Sequence, residues 1–105
     1  MIFRAALLAT TLILPLSALA ANTGDVDAGK AKSVICQACH GADGNGIGDP
    51  QYPLLAGQFP DYLAKALRDY KSGERDNAIM KGFASTLSDQ DMLALAAFFA
   101  SQPTK

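Results

Sequence analysis

Both cysteines and the single histidine of this 105-residue chain lie within five consecutive positions, Cys36-Gln37-Ala38-Cys39-His40. Such side chains bind metals, exchange disulfides or form thioether bonds. A structural zinc site is excluded because it needs four ligands and the chain offers three of the usual type. A thioredoxin-type redox pair is expected within a βαβ unit, but no downstream segment shows the period-two alternation of a strand.

The spacing of these residues predicts instead an attachment site for a c-type haem. Two thiols three positions apart at a helix end can add to the two vinyl groups of one porphyrin. Cys36 and Cys39 would therefore hold one covalent haem c, and His40 would lie beneath the iron. One ring nitrogen of His40 would bind iron while the other donates to a backbone carbonyl. A Cys36–Cys39 disulfide is the alternative interpretation.

The sixth coordination position of the iron decides the function, because a filled position favours electron transfer and an open one favours binding of small molecules. With no second histidine, the candidate ligand is a methionine. Met1 belongs to the expected export signal, and Met92 is expected in the core. Met80 stands in a loop-like segment, 76–82, and is the predicted ligand. The alternative is that Met80 only fills a gap in the core.

Three helices are predicted to position these residues. The first spans about Asp27–Ala38 and delivers the cysteines from its last turn. The second spans about Pro60–Ser72, with proline at its first position and Gly73 as the C-terminal cap. The third begins after a Ser88 cap resembling a capping box and ends near Ser101. The predicted apolar face of the first helix consists of Ala31, Val34, Ile35 and Ala38.

A glycine-rich loop, Gly41–Gln58, joins the first two helices and contains five of the nine glycines. A loop this long without secondary structure is usually functional. A domain of about 85 residues also buries little apolar surface, so that a cofactor is expected to complete its core.

Residues 1–20 are predicted to form a secretory signal peptide, which would leave 21–105 as the mature domain. Arg4 precedes an uncharged apolar stretch that ends in Ala18-Leu19-Ala20, which fits the A-x-A pattern of a cleavage site. We therefore expect a periplasmic protein with no stable membrane insertion after cleavage. The net charge of −1 provides no basic surface for nucleic acid.

The chain resembles the small class I c-type cytochromes, in particular the bacterial cytochrome c-553/c5 type and the single domains of cytochrome c4. The resemblance covers essentially the whole mature chain. The stretches that carry it are Gly29-Lys30, Cys36-Gln37-Ala38-Cys39-His40-Gly41, Asp43-Gly44-Asn45-Gly46, Pro53-Leu54-Leu55-Ala56-Gly57-Gln58, Tyr62-Leu63, Arg68-Asp69-Tyr70-Lys71-Ser72-Gly73, Met80 and Leu87-Ser88-Asp89.

The resemblance implies an all-α fold in which three main helices and the glycine-rich loop surround one haem, with the first and last helices packed crosswise. It implies iron ligation by His40 and Met80, and a carbonyl contact from Pro53 to the histidine. It also implies a one-electron carrier, not an enzyme, that docks transiently with a membrane quinol-oxidising complex and with a terminal oxidase or periplasmic reductase.

Two functional alternatives remain at this stage. One is a cytochrome subunit of a dehydrogenase or oxidase complex, and the other is a five-coordinate haem protein with peroxidase-like or gas-binding behaviour. Four further residues could contact haem propionates or could equally be ordinary helix-surface side chains, namely Gln58, Tyr62, Arg68 and Tyr70.

Overall fold

The computed structural model describes residues 2–3, 5–13 and 24–105, and within these residues the protein is helical and has no strand. The predicted boundary between signal peptide and mature domain, at Ala20 and Ala21, lies outside the described residues. No described helix is long and apolar enough to cross a bilayer. The five described helices are α1 (Val26–Lys32), α2 (Val34–His40), α3 (Pro60–Ser72), α4 (Ala78–Ala84) and α5 (Asp89–Ala100).

The predicted first helix is divided into two short helices by Ser33. The Ser33 hydroxyl donates to the carbonyl of Lys30 at 2.7 Å, and the Ser33 carbonyl accepts from the amide of Cys36 at 2.8 Å. These bonds between residues three apart compete with the regular α-helical pattern, as serine side chains often do. The cysteines therefore belong to α2, which is separate from the helix that packs against the core.

The predicted apolar face of this segment was wrong, because Ala31, Val34, Ile35 and Ala38 are all exposed. Gly29 faces α5 instead. A Cβ atom at Gly29 would lie 2.0 Å from the carbonyl oxygen of Ala94, and one at Gly24 would lie 1.8 Å from that of Leu93. Close packing of α1 on α5 thus depends on residues without side chains, which a search for apolar periodicity overlooks.

Helix α3 has the predicted bounds. Pro60 occupies its first turn, and Gly73 ends it in the left-handed conformation at φ 86°, which glycine adopts without strain. Leu63 and Ala64 are the buried residues of α3 and contribute to the hydrophobic core.

Helix α5 confirms the predicted start signal and provides most of the core. The Ser88 hydroxyl accepts from the Asp91 amide at 3.1 Å, while the Asp91 carboxylate accepts from the Ser88 amide at 3.0 Å. Leu87 and Met92, on either side of this capping box, are both buried in the core. The remaining buried residues of the helix are Ala94, Leu95, Ala96, Phe98 and Phe99.

Candidate functional site

Helix α2 ends at His40, which is buried and forms a defined hydrogen bond. Its Nδ1 lies 2.8 Å from the carbonyl oxygen of Pro53. Since a carbonyl can only accept, Nδ1 is the donor in this bond, and in the neutral imidazole Nε2 then has a lone pair available for a metal. The ring of Tyr52 contacts the imidazole edge-on, with 6.4 Å between the ring centroids.

The glycine-rich loop places Pro53 against this histidine. The carbonyl of Gly44 accepts from the amides of Leu55 and Ala56 at 2.8 and 3.1 Å, which closes the loop just after Pro53. Gly44 has φ 79°, and a Cβ there would lie 2.8 Å from the Phe99 ring. Glycine is therefore required at this turn for both its conformation and its size.

Cys36 has a partly buried sulfur, and burial raises the pKa of its thiol to about 11. Reactive cysteines require a depressed pKa that yields thiolate near neutral pH. The environment of Cys36 favours an uncharged sulfur instead, as in a thioether. No disulfide joins Cys36 to Cys39.

Met80 lies on α4, where the sequence indicated a loop. The side-chain oxygen of Asn77 accepts from the amide of Met80 at 3.0 Å and caps the helix. This helix has only seven residues and lies between Gly73 and the start of α5. It is therefore too short to show the apolar periodicity by which the other helices were predicted. Met92, in contrast, is in the core as predicted.

One cavity of about 570 Å³ collects the predicted site residues, a volume typical of cofactor sites. Cys36, Cys39, His40, Pro53 and Met80 all line it. Most other lining residues are apolar or aromatic, among them Ile35, Leu54, Leu67, Ile79, Phe83, Leu95 and Phe99. A flat apolar ring system carrying a metal fits this lining, since the apolar walls suit a porphyrin and the imidazole and thioether suit its iron.

A bare metal ion does not fit the same residues. Within the part of the chain that the structure describes, no three His, Cys, Asp or Glu side chains converge on a point where a metal could bind. For haem iron, the lining offers the buried imidazole of His40 and the thioether of Met80 as neutral donors.

The structure also separates the four residues whose roles the sequence left open. Gln58, Tyr62 and Tyr70 line the cavity, whereas Arg68 does not. Arg75, which no sequence pattern had indicated, also lines the cavity. The available signal was a basic residue in the short segment between the Gly73 cap and Met80.

Fold and cavity together define a small all-α c-type cytochrome, in which one covalent haem completes the core. The family model described as Cytochrome c matches residues 26–103. The chain therefore belongs to the cytochrome c family and has the class I cytochrome c fold. It shares the family's haem, iron binding and electron transport, and the family together with its Cys36-x-x-Cys39-His40 arrangement supports one covalently bound haem c.

Three relatives illustrate the similarity. Cytochrome c4 of Pseudomonas aeruginosa is 49% identical over 96 residues, which cover 91% of this chain and 47% of the relative. Cytochrome c-554(548) of Halomonas halodenitrificans is 43% identical over 82 residues, covering 75% of this chain and 98% of that protein. Reduced recombinant cytochrome c4 from Pseudomonas stutzeri, a crystal structure, superimposes with a TM-score of 0.74 at 42% identity, covering 79% of this chain and 48% of that one.

The chain spans about half the length of the cytochrome c4 relatives that it matches. The similarity to them accordingly concerns one haem domain.

Proposed function

We propose that this chain is a periplasmic monohaem cytochrome that carries single electrons between respiratory redox partners, with His40 and Met80 as the axial ligands of the iron. The observation that supports this most directly is that one cavity brings together a buried histidine, hydrogen-bonded through Nδ1 to Pro53, and the thioether of Met80. Residues 1–20 are proposed as the export signal and 21–105 as the mature domain.

The chain's residues have distinct roles in this proposal. Cys36 and Cys39 form the thioether bonds, and the Pro53 carbonyl fixes the tautomer and the orientation of the His40 ring. Met80 supplies a soft, neutral ligand. Such a ligand favours the reduced state of the iron more than stronger donors do. The bound iron supplies the one-electron oxidation and reduction. Since protein side chains fill both axial positions, electron transfer needs little change in coordination, and no catalysis is assigned to the chain.

The surface beside the cavity supports transient docking. Phe59 and Ile47 do not line the cavity and are 76% and 53% exposed, and Phe59 directly follows the cavity residue Gln58. An apolar rim of this kind suits the small, short-lived contacts of electron-transfer partners. We assign as partners a membrane quinol-oxidising complex and a terminal oxidase or periplasmic reductase.

The first test is an absorption spectrum of the protein expressed with haem-attachment machinery, recorded oxidised and after dithionite reduction. A sharp low-spin reduced α-band together with a weak far-red thioether-to-iron band in the oxidised form is the expected result. A high-spin spectrum would exclude ligation by Met80 and favour gas binding or peroxidase-like chemistry.

The second test is Met80→Ala with Met92→Leu as its control. Met80→Ala should abolish the far-red band, sharply lower the reduction potential and admit cyanide or carbon monoxide. Met92→Leu replaces the buried core methionine by a residue of similar volume and should leave all three properties unchanged. An unaltered spectrum in Met80→Ala would overturn the ligand assignment.

A further inference from the structure

Tyr52 directly precedes Pro53 in the glycine-rich loop and contacts the histidine of the site. Its ring meets the His40 imidazole edge-on, with an interplanar angle of 65° and 6.4 Å between the ring centroids. Aromatic rings prefer this arrangement at this distance. His40 is buried, Tyr52 is half-buried, and both line the cavity. The roles assigned above to the cysteines, His40, Pro53 and Met80 leave Tyr52 without one.

The backbone is held on both sides of Tyr52. Its amide donates to the carbonyl of Asp49 at 3.2 Å, and the Asp49 carboxylate accepts from the Gln51 amide at 2.9 Å. Further along the loop, the amide of Leu55 donates to the carbonyl of Gly44 at 2.8 Å. The ring of Tyr52 therefore extends from a backbone that the loop itself fixes.

The hydroxyl end of Tyr52 interacts with the second cysteine. The nearby charge of Cys39 is the main cause that raises the pKa of the Tyr52 phenol, and burial, the charge of Asp49 and a hydrogen bond to Cys39 add to it. The phenol therefore stays protonated near neutral pH and can donate to sulfur, which is a weak acceptor as a thiol or as a thioether. The contact is thus compatible with attachment of a haem to Cys39.

The bond to Pro53 alone leaves the imidazole plane some freedom. A carbonyl oxygen accepts over a broad range of angles, so that the His40 ring can swing while Nδ1 keeps its 2.8 Å contact. An adjacent ring opposes this swing. Turning the imidazole towards Tyr52 would make their atoms overlap, and turning it away would lose the contact.

We infer that Tyr52 is a positioning residue for the haem iron. Its ring limits the rotation of the His40 imidazole about the axis from Nε2 to the iron, and its hydroxyl holds that ring at the Cys39 sulfur. Partners of a metal-binding histidine commonly orient it in this way. The plane of an axial imidazole determines its overlap with the d orbitals of iron. The inference rests on the proposed function, because it requires a haem in this cavity.

The test compares Tyr52→Leu with Tyr62→Leu in the intact haem-containing protein. Both tyrosines line the cavity, but in the described part of the chain only the ring of Tyr52 pairs with that of His40. The largest g value in the electron paramagnetic resonance spectrum of the ferric protein reports the orientation of the imidazole. An edge-to-face contact is equivalent to about twofold to tenfold in the population of competing orientations. Tyr52→Leu should therefore shift and broaden this g value, and Tyr62→Leu should shift it far less.

Tyr52→Phe separates the ring from the hydroxyl. It keeps the edge-on ring and should retain the wild-type g value. Its line should be broader than that of the wild type and narrower than that of Tyr52→Leu, because the ring has lost its anchor at Cys39. This variant decides the question even if Tyr52→Leu incorporates no haem. A line as narrow as that of the wild type would overturn the inference.

Failure of the inference and failure of the proposed function give different results. An unshifted g value in Tyr52→Leu, or an equal shift in Tyr62→Leu, would overturn the role of Tyr52 while the wild type keeps its far-red band. A low-spin wild type that lacks this band would instead overturn the ligation by Met80 and leave the comparison at Tyr52 unchanged.

Discussion

The contact between α1 and α5 and the wall of the haem cavity are built in opposite ways. Where α1 meets α5, the backbones approach so closely that Gly29 has no room for a methyl group, and the facing Ala94 and Phe98 are buried. Along the cavity, Leu54 and Ile79 remain largely exposed. The chain completes the first contact with its own residues, whereas the second region is an apolar surface that the cofactor completes.

This difference explains how so small a domain can be stable. Burying a large aliphatic side chain contributes roughly 1.5–3 kcal/mol, and a chain of this size cannot bury enough of them alone. A covalently held haem would cover the apolar wall and remain in place without being fully enclosed. The helix contact would then fix the fold, and the cavity wall would be free to carry function.

The largest expected effect is that of Gly29→Ala on the contact between the helices. The added Cβ would lie 2.0 Å from a backbone oxygen and 2.8 Å from the Phe98 Cβ, neither of which can move cheaply. We expect a loss of about 3 kcal/mol or more in the free energy of unfolding. Urea denaturation of the haem-containing protein, followed by circular dichroism, measures it.

The matched control for that substitution is Gly82→Ala. Gly82 lies within α4, and a Cβ there would meet no atom within 4 Å. Alanine favours a helix over glycine by roughly 0.5–1 kcal/mol, so Gly82→Ala should leave stability unchanged or raise it slightly. Equal losses at both positions would contradict the assigned importance of the contact between α1 and α5.

A smaller effect is expected on the cavity side from Asn77→Ala, which removes the cap of α4. Loss of the bond to the Met80 amide should cost about 1 kcal/mol. If that loss loosens Met80 at the iron, the affinity of the ferric protein for cyanide should rise about fivefold, the factor equivalent to this energy. Equilibrium cyanide titration, followed at the far-red band, measures the change.

Two variants make this result specific. Ser88→Ala removes the cap of α5 at a similar cost in stability, but it should leave the cyanide affinity within about twofold of the wild type. Asn77→Asp keeps an accepting oxygen and should retain most of the wild-type behaviour. The idea that α4 positions Met80 fails if Ser88→Ala and Asn77→Ala raise the affinity equally.

The sequence predicted the parts of the molecule that depend on local signals. Pro60, Gly73 and the Ser88 cap each carry a signal within a few residues, so α3 and α5 have the expected positions. The haem motif around His40 is also local. The break at Ser33 and the role of Gly29 depend on contacts with carbonyl groups, and in the case of Gly29 on a distant helix, which periodicity does not reveal.

The cavity edge was less predictable for a related reason. Arg75 acquires its position from a stacking contact with Tyr70 and a backbone bond to Asp69, both of which require α3 to be folded. The sequence left Gln58, Tyr62, Arg68 and Tyr70 as equal candidates, because an amphipathic side chain on a helix surface looks the same in either role. Tertiary structure was needed to separate the residues at the cavity from the one beside it.

The smallest effect is expected where the C-terminal segment contacts the glycine-rich loop. The Lys105 Nζ lies 2.8 Å from Oδ2 of Asp43. The backbone amide of Asn45 donates to Oδ1 of the same carboxylate at 3.0 Å. These contacts lower the pKa of Asp43 from 3.8 to about 2, chiefly through the hydrogen bond from Lys105. Because the folded state has the lower pKa, ionised Asp43 stabilises it above about pH 4. That stabilisation disappears as the pH falls through 2.

Asp43→Asn should therefore lower the urea midpoint slightly at pH 6, and this difference from the wild type should shrink as the pH falls from 4 towards 2. Low salt should enlarge the difference, since the ion pair is exposed and screened. Glu74→Gln is the control, because the Glu74 carboxylate forms no ion pair among the described residues. A midpoint difference for Asp43→Asn that stays constant from pH 6 to pH 2 would show that the loop is held by packing alone. The glycine-rich loop would then resemble the contact between α1 and α5 more than the cavity wall.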